Sequence, residues 1–239
     1  MTKVKPYNNL ETKKKQVTKM FDNIAGSYDF LNHTLSLGMD NIWRKIAIKK
    51  LGNKPATILD IATGTADFAI SASKYTNATI TGIDISQGML DVGVEKITKK
   101  GLTNRIQLQL ADSEKLPFQD NSYDAITAGF GVRNFEDLNK GLSEMYRTLK
   151  SGGKVAILEP SEPTNFPLKQ FYNLYFHHIL PFIGGIVSKD KNAYTYLPDS
   201  VSAFPSGKDF LTVLDKVGFK ESKHIPLTFG IVSLYIAIK

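Results

Sequence analysis

The chain has 239 residues, 42% apolar and 22% charged, which suits one α/β domain with a real core and is short for two ordinary domains. It has no cysteine, which excludes disulfides, cysteine–zinc centres and thiol nucleophiles and fits a reducing cytosol. The net charge of +7 admits nucleic acid or an anionic membrane as partner, but short runs such as Lys13-Lys14-Lys15 and Lys99-Lys100 usually face solvent, so charge alone selects neither.

In chain order, the first fifteen residues carry no apolar h-region, so no secretory signal is predicted, and no apolar stretch reaches the roughly 20 residues of a membrane span. Residues 1–55 read as helices: Val17, Met20, Phe21, Ile24 and Tyr28 recur at helical spacing, and Trp43, Ile46 and Ala47 continue it. From residue 56, short β-branched runs alternate with amphipathic helical stretches. The predicted strands are Ile58–Ile61, Thr79–Ile85, Ile106–Leu110, Tyr123–Ala128 and Val155–Leu158. Helices are predicted over Ala66–Tyr75, over Met89–Lys100 and along Phe135, Leu138, Leu142, Met145 and Leu149, the last stopped by Gly152-Gly153. Such alternation predicts a parallel sheet covered on both faces. The last two strands, Phe219–Ile225 and Ile231–Ile238, are joined by too short a link for a crossover helix, so they are predicted to be antiparallel neighbours. A parallel sheet ending in an antiparallel hairpin already suggests a methyltransferase. Residues 161–205, rich in aromatics and proline, interrupt the sheet. The expected organisation is one domain: an N-terminal helical cap (1–55), a core (56–160 and 206–239) and a lid insertion (161–205).

The sharpest local signal is Asp60-Ile61-Ala62-Thr63-Gly64-Thr65-Ala66-Asp67, after the first strand and opening the first helix of the alternation. Small residues at 62, 64 and 66 let backbone approach a ligand closely, and free N–H groups at a helix start suit an anionic group. Asp84 follows at the end of the second strand, where a carboxylate can take both hydroxyls of a ribose. A dinucleotide site would want G-x-G-x-x-G for a pyrophosphate, and this turn lacks it. Asp60 instead suits the ammonium of a methionyl group, and Asp112, after the third strand, suits an adenine amine. Three acids at three successive strand ends favour a nucleoside carrying an amino acid. The plain alternative is a bare turn at Gly64 with the acids as helix caps; the features fall in register against it.

Further motifs make the chain similar to a known family, the ubiquinone/menaquinone biosynthesis C-methyltransferases. They are Met20-Phe21-Asp22-Asn23-Ile24-Ala25-Gly26-Ser27-Tyr28-Asp29, Leu35-Ser36-Leu37-Gly38, Trp43-Arg44, Leu116-Pro117-Phe118 and Asn121-Ser122-Tyr123-Asp124. The most selective is Gly129-Phe130-Gly131-Val132-Arg133-Asn134-Phe135, and the likeness runs from Val17 to the C-terminus. It implies a class I S-adenosylmethionine-dependent methyltransferase: a Rossmann-like, doubly wound, mostly parallel seven-stranded sheet with a C-terminal antiparallel hairpin and a helical lid. It also implies that Thr65, Asp84, Asp112 and Ser113 contact S-adenosylmethionine; the turn itself adds Asp60 and Gly64, and no acid–histidine spacing suggests a metal. Two departures stand out: Ala62 and Ala66 replace glycines common in methyltransferases, and Gly129 stands where some members place a cofactor-contacting serine.

Methylating a ring carbon needs alignment and a group that favours the phenolate. Arg133 is the candidate oxyanion partner, with Asp67 and Tyr28 as candidates to relay the proton. The plain alternatives are a salt bridge from Arg133 to Glu136 or Asp137, packing for Tyr28 and a first-turn helix charge for Asp67. His33, near Tyr28 in sequence, lines the site in one reading and is structural in the other. The aromatic stretch from Phe171 to Ile186, with His177 and His178, is either a buried lid or an interfacial surface for an isoprenoid tail.

The expected reaction is methylation of demethylmenaquinol to menaquinol. The alternatives are C-methylation of a ubiquinone precursor, 2-methoxy-6-polyprenyl-1,4-benzoquinol, and a non-catalytic nucleoside-binding module. The expected partners are a polyprenylated quinol, a membrane surface touched from the cytoplasmic side and a second copy in a homodimer. Nucleic acid is not expected, since nothing like Asn-Pro-Pro-Tyr follows the fourth strand.

Overall fold

The computed structural model describes residues 4–52, 54–163, 165–174 and 192–239. Its centre is a seven-stranded sheet of order β3-β2-β1-β4-β5-β7-β6. β1 (Thr57–Ile61), β2 (Thr79–Asp84), β3 (Ile106–Leu110), β4 (Tyr123–Gly129) and β5 (Leu149–Pro160) run parallel. β7 (Val232–Ile238) lies antiparallel between β5 and β6 (Lys220–Leu227), as the short link between the last two strands requires. Both faces are covered, so neighbouring residues of one strand enter different cores. Ile58 packs with Trp43, Phe68 and Ala156, whereas Leu59 and Ile61 pack with Leu142, Phe210 and Tyr235.

Helices α1 (Lys13–Leu35), α2 (Met39–Leu51), α3 (Asp67–Tyr75), α4 (Gln87–Lys99), α5 (Leu138–Thr148), α6 (Leu168–Leu174), α7 (Asn192–Ala203) and α8 (Lys208–Val217) complete the described part. α1 is started by Thr12, whose hydroxyl accepts the Lys15 N–H, and it buries Val17, Met20 and Ile24 against Met89 of α4 and Tyr196 of α7. α2 goes elsewhere: Ala47, Ile48 and Leu51 enter the sheet-face core, and the Trp43 Nε1–H donates to Thr228 Oγ1 at 2.8 Å, tying α2 to the β6–β7 turn.

The boundary between α5 and β5 differs from expectation. Gly152-Gly153 do not stop a helix; α5 ends at Thr148, and Leu149 pairs at once with Tyr123. Strand pairing captures the chain as soon as the helix ends, so β5 runs over Leu149–Pro160, well beyond the predicted Val155–Leu158. His177, His178 and most of the stretch 171–186 lie outside the described residues.

Candidate active site

The carboxyl ends of β1, β2, β3 and β4 open into one cleft, closed from above by α1. It encloses about 690 Å³ of space including its open mouth, and Gly64, Asp84, Asp112, Ser113, Tyr28 and Phe130 are among its lining residues. The turn after β1 takes left-handed backbone at Ala62, Gly64 and Ala66 (φ 52°, 55° and 67°), a conformation two of these residues hold against their own Cβ atoms. The Gly64 position where a Cβ would stand meets no atom within 4 Å, so the backbone there is open to a ligand. Gly131 is the reverse: a Cβ on it would sit 2.4 Å from the Ala62 Cβ, so an alanine in the first turn demands a glycine in the second.

The strand-end acids hold this turn. Asp60 is buried beneath it, accepting the hydroxyls of Thr63 (2.6 Å) and Thr127 (2.7 Å), and does not line the cleft. Burial pushes its carboxyl up to about 6 against those hydrogen bonds. Asp84 accepts the N–H of Gly64 (2.8 Å) and of Ser86 (2.9 Å); burial raises its carboxyl while both bonds pull it down. Asp112 accepts the Glu114 N–H on one oxygen and Lys14 Nζ, at 2.7 Å, on the other. Lys14 also reaches Glu114 at 3.0 Å, and the neighbouring Lys13 Nζ donates to the carbonyls of Arg133 and Phe135, so the start of α1 is stitched across the cleft. The Thr65 hydroxyl donates to Asp29 of α1 at 2.5 Å.

Arg133 follows β4 in a short turn, Val132–Asn134, with its side chain 8% exposed. Its salt bridge is to Glu159 at the end of β5 (3.1 Å), rather than to Glu136 or Asp137. Nη1 also donates to the Phe130 carbonyl and Nε to Ser200 Oγ of α7, while Nη2 takes no acceptor among the described residues. Tyr28 is within electrostatic reach of Arg133: burial raises its hydroxyl and the guanidinium pulls the other way. Tyr196, which donates to Asn134 Oδ1, is pushed up to about 12 by burial. Asp67 belongs to a polar network rather than standing free. Lys96 Nζ lies 2.5 Å from its Oδ1, and Arg44 and His33 each lie 3.6 Å from its Oδ2. His33, Asp40 and Asp67 bring potential ligand atoms within 4.8 Å of one another, but Arg44 and Lys96 already neutralise the two carboxylates. The cluster is an ion-pair network in which Lys96 also serves Asp29, at 2.6 Å.

Glu159, Lys14 and Lys96 were not predicted. Glu159 had a signal: it is the acid at the end of β5, as Asp60, Asp84 and Asp112 lie at or just after the ends of β1, β2 and β3. The two lysines had none, being ordinary cations on helix surfaces.

Known proteins resemble this chain in sequence and in fold. The model of the ubiE/COQ5 methyltransferase family matches residues 9–239. The chain is 51% identical to a demethylmenaquinone methyltransferase of Bacteroides fragilis, over 99% of this chain and 98% of that one. It is 42% identical to a demethylmenaquinone methyltransferase of Porphyromonas gingivalis over the same shares. It is 47% identical to a ubiquinone/menaquinone biosynthesis C-methyltransferase of Geotalea daltonii, over 96% of this chain and 99% of that one. Among solved structures, a possible histamine N-methyltransferase of Thermotoga maritima superposes with a TM-score of 0.66 at 18% identity, covering 92% of this chain and 99% of that one. A putative S-adenosylmethionine-dependent methyltransferase of Methanococcus maripaludis gives 0.63 at 24% identity, over 98% and 96%. These structures share the fold.

Proposed function

The chain belongs to the ubiE/COQ5 methyltransferase family and has the class I methyltransferase fold, and from that footing we propose that it methylates a ring carbon of demethylmenaquinol, giving menaquinol. The observation that carries the reading is the cleft itself. The Gly64 backbone is open to a ligand, and around it Asp84, Asp112 and Ser113 offer a ribose and an adenine their acceptors. These residues fit S-adenosylmethionine, which supplies, when bound, an electrophilic methyl group on a sulfonium. In this reading Asp84 takes the ribose hydroxyls, Asp112 and Ser113 meet the base, Thr65 lies beside the turn, and Asp60 holds the turn from below. The N–H groups of Arg133 Nη2 stabilise the phenolate that makes the ring carbon nucleophilic. Tyr28 and Asp67 handle the proton.

The polyprenyl tail of such a substrate makes contact with a membrane surface part of the proposal. No helix among the described residues is long and apolar enough to cross a membrane. Leu37 and Phe229, however, stand 88% and 78% exposed at the carboxyl end of the sheet.

The test is an assay of the purified protein with labelled S-adenosylmethionine and demethylmenaquinol, run beside 2-methoxy-6-polyprenyl-1,4-benzoquinol. Label is expected in menaquinol. Label only in the benzoquinol product would move the assignment to ubiquinone synthesis, and label in neither would leave a nucleoside-binding module.

A further inference from the structure

His33 lies near the C-terminal end of α1, five residues beyond Tyr28, with its side chain 40% exposed. Nδ1 is 2.7 Å from Asp40 Oδ2 and Nε2 is 3.6 Å from Asp67 Oδ2. Nδ1 is buried but makes no hydrogen bond by angle, so it approaches Asp40 from off the N–H line. Asp40 is itself fixed, by Arg44 Nη1 at 2.6 Å and the Ser36 hydroxyl at 2.9 Å. Burial would raise its carboxyl, but the Arg44 charge and hydrogen bond and Ser36 outweigh this and hold it below the usual carboxylate range. The ring is thus braced by a buried carboxylate on one nitrogen, faces Asp67, the first residue after the cofactor turn, with the other, and has an open side to solvent.

Methyl transfer to an aromatic carbon needs such a group. The methyl leaves the sulfonium for the ring carbon, the C–S electron pair stays on sulfur, and the C–H electrons return to the ring as its proton departs. One proton is therefore released per turnover and has to reach solvent. Arg44 and Lys96 are committed to ion pairs with Asp67, and Tyr28 lines the cleft itself. Imidazole is the side chain that takes and gives protons in the neutral range.

We propose that His33 carries the released proton from Asp67 to solvent, with Asp40 as the residue that positions its ring. The inference rests on the methyl-transfer reading. His33 touches Asp67 and not the substrate, so it acts as a relay. The charged groups that face it are Asp40 and Arg44 from α2 and Asp67 from α3; behind Asp67 stand Lys96 from α4 and Asp29 from α1.

The experiment compares the full-length wild type with His33→Gln, at saturating S-adenosylmethionine and demethylmenaquinol, between about pH 6 and 9. Wild-type kcat is expected to fall on the acid side as the relay stays protonated. The variant should lose that acid limb and lose about 10-fold or more in kcat at neutral pH, while its KM for S-adenosylmethionine stays within about 2-fold. Added imidazole should restore part of the rate, because the ring's place is open to solvent. NMR of the unliganded protein at fixed pH gives a readout free of turnover: the His33 ring resonances should move in Asp67→Asn, which removes the carboxylate that faces Nε2. A His33→Gln variant that keeps the wild-type acid limb and rate, or His33 resonances indifferent to Asp67→Asn, overturns the relay. A wild type that methylates no quinol overturns the parent reading instead, and the wild-type control alone reports it.

Discussion

The backbone N–H of Gly64 and the carboxylate of Asp84 meet at 2.8 Å, binding the turn after β1 to the end of β2. Parallel pairing puts Asp60 beside Gly82 and Ile61 beside Ile83, so Asp84 emerges next to the turn. One side chain thereby shapes the turn and offers its remaining acceptor capacity to the cleft.

Asp84→Ala should therefore weaken S-adenosylmethionine binding by about 10- to 100-fold, the worth of a charged hydrogen bond and a loosened turn. Titration calorimetry measures it, with circular dichroism to verify the fold. Unchanged affinity would remove Asp84 from the site.

How much of this was legible depended on distance along the chain. The parallel strands and the hairpin were readable because strand period and link length are local properties. The acids of β1, β2 and β3 were readable because each lies at or just past a strand end. The partner of Arg133 was not. Sequence neighbours Glu136 and Asp137 were the natural candidates, whereas Glu159 arrives through the β4–β5 pairing, 26 residues on. Lys14 meets Asp112 across 98 residues, a contact that exists only once α1 has folded over the cleft. The apolar spacing of α2 signalled a helix but not its destination, since packing in a core layer and capping a cleft present the same periodicity.

Asp60 predicts a pH dependence. Its folded carboxyl lies at about 6 against an ordinary 3.8, so the folded state binds that proton more tightly than the unfolded one. Below the unfolded value both states are protonated and nothing is lost. As pH rises from about 4 to about 6 stability falls, by about 3 kcal/mol in all, and the loss is complete above that window. Asp60→Asn removes the term while keeping an acceptor for one of the two threonine hydroxyls. Thermal melts should show the variant gaining on the wild type across this window and holding its gain at neutral pH. A difference that stays flat with pH would mean that folding leaves the Asp60 carboxyl at its ordinary value.

Leu37 and Phe229 adopt left-handed backbone (φ 50° and 59°), unfavourable for bulky side chains, and both are exposed. The Trp43–Thr228 hydrogen bond holds the two tips at one end of the molecule. If they enter a bilayer surface, Leu37→Ser with Phe229→Ser should reduce co-sedimentation with anionic vesicles by about 10-fold, given the apolar area each would bury. Higher salt should weaken wild-type binding further. Sedimentation velocity on the same variant distinguishes a dimer surface: loss of self-association without change in vesicle binding would assign the tips to a second copy.

Arg133 is the residue whose substitution most needs a control, because it is held by a buried carboxylate. Glu159 is 1% exposed and accepts the Val132 N–H as well as the guanidinium. Burial raises its carboxyl, and the Arg133 guanidinium pulls it back down. Arg133→Ala would strand that carboxylate, at a cost of about 3–5 kcal/mol, and turnover would vanish along with the fold. That result would say nothing about chemistry. Arg133→Met combined with Glu159→Gln removes both charges and keeps an acceptor for Val132, so thermal stability should return to within about 1 kcal/mol of wild type. With the fold restored, the two readings separate. If Nη2 stabilises the phenolate, the double variant should bind S-adenosylmethionine normally and turn over about 100-fold or more slower, as when an oxyanion donor is lost. Glu159→Gln with Arg133 intact leaves the guanidinium unpaired, so its turnover is read only alongside its thermal stability. A stable double variant with near-normal turnover would make the pair purely structural and end the role proposed for Arg133.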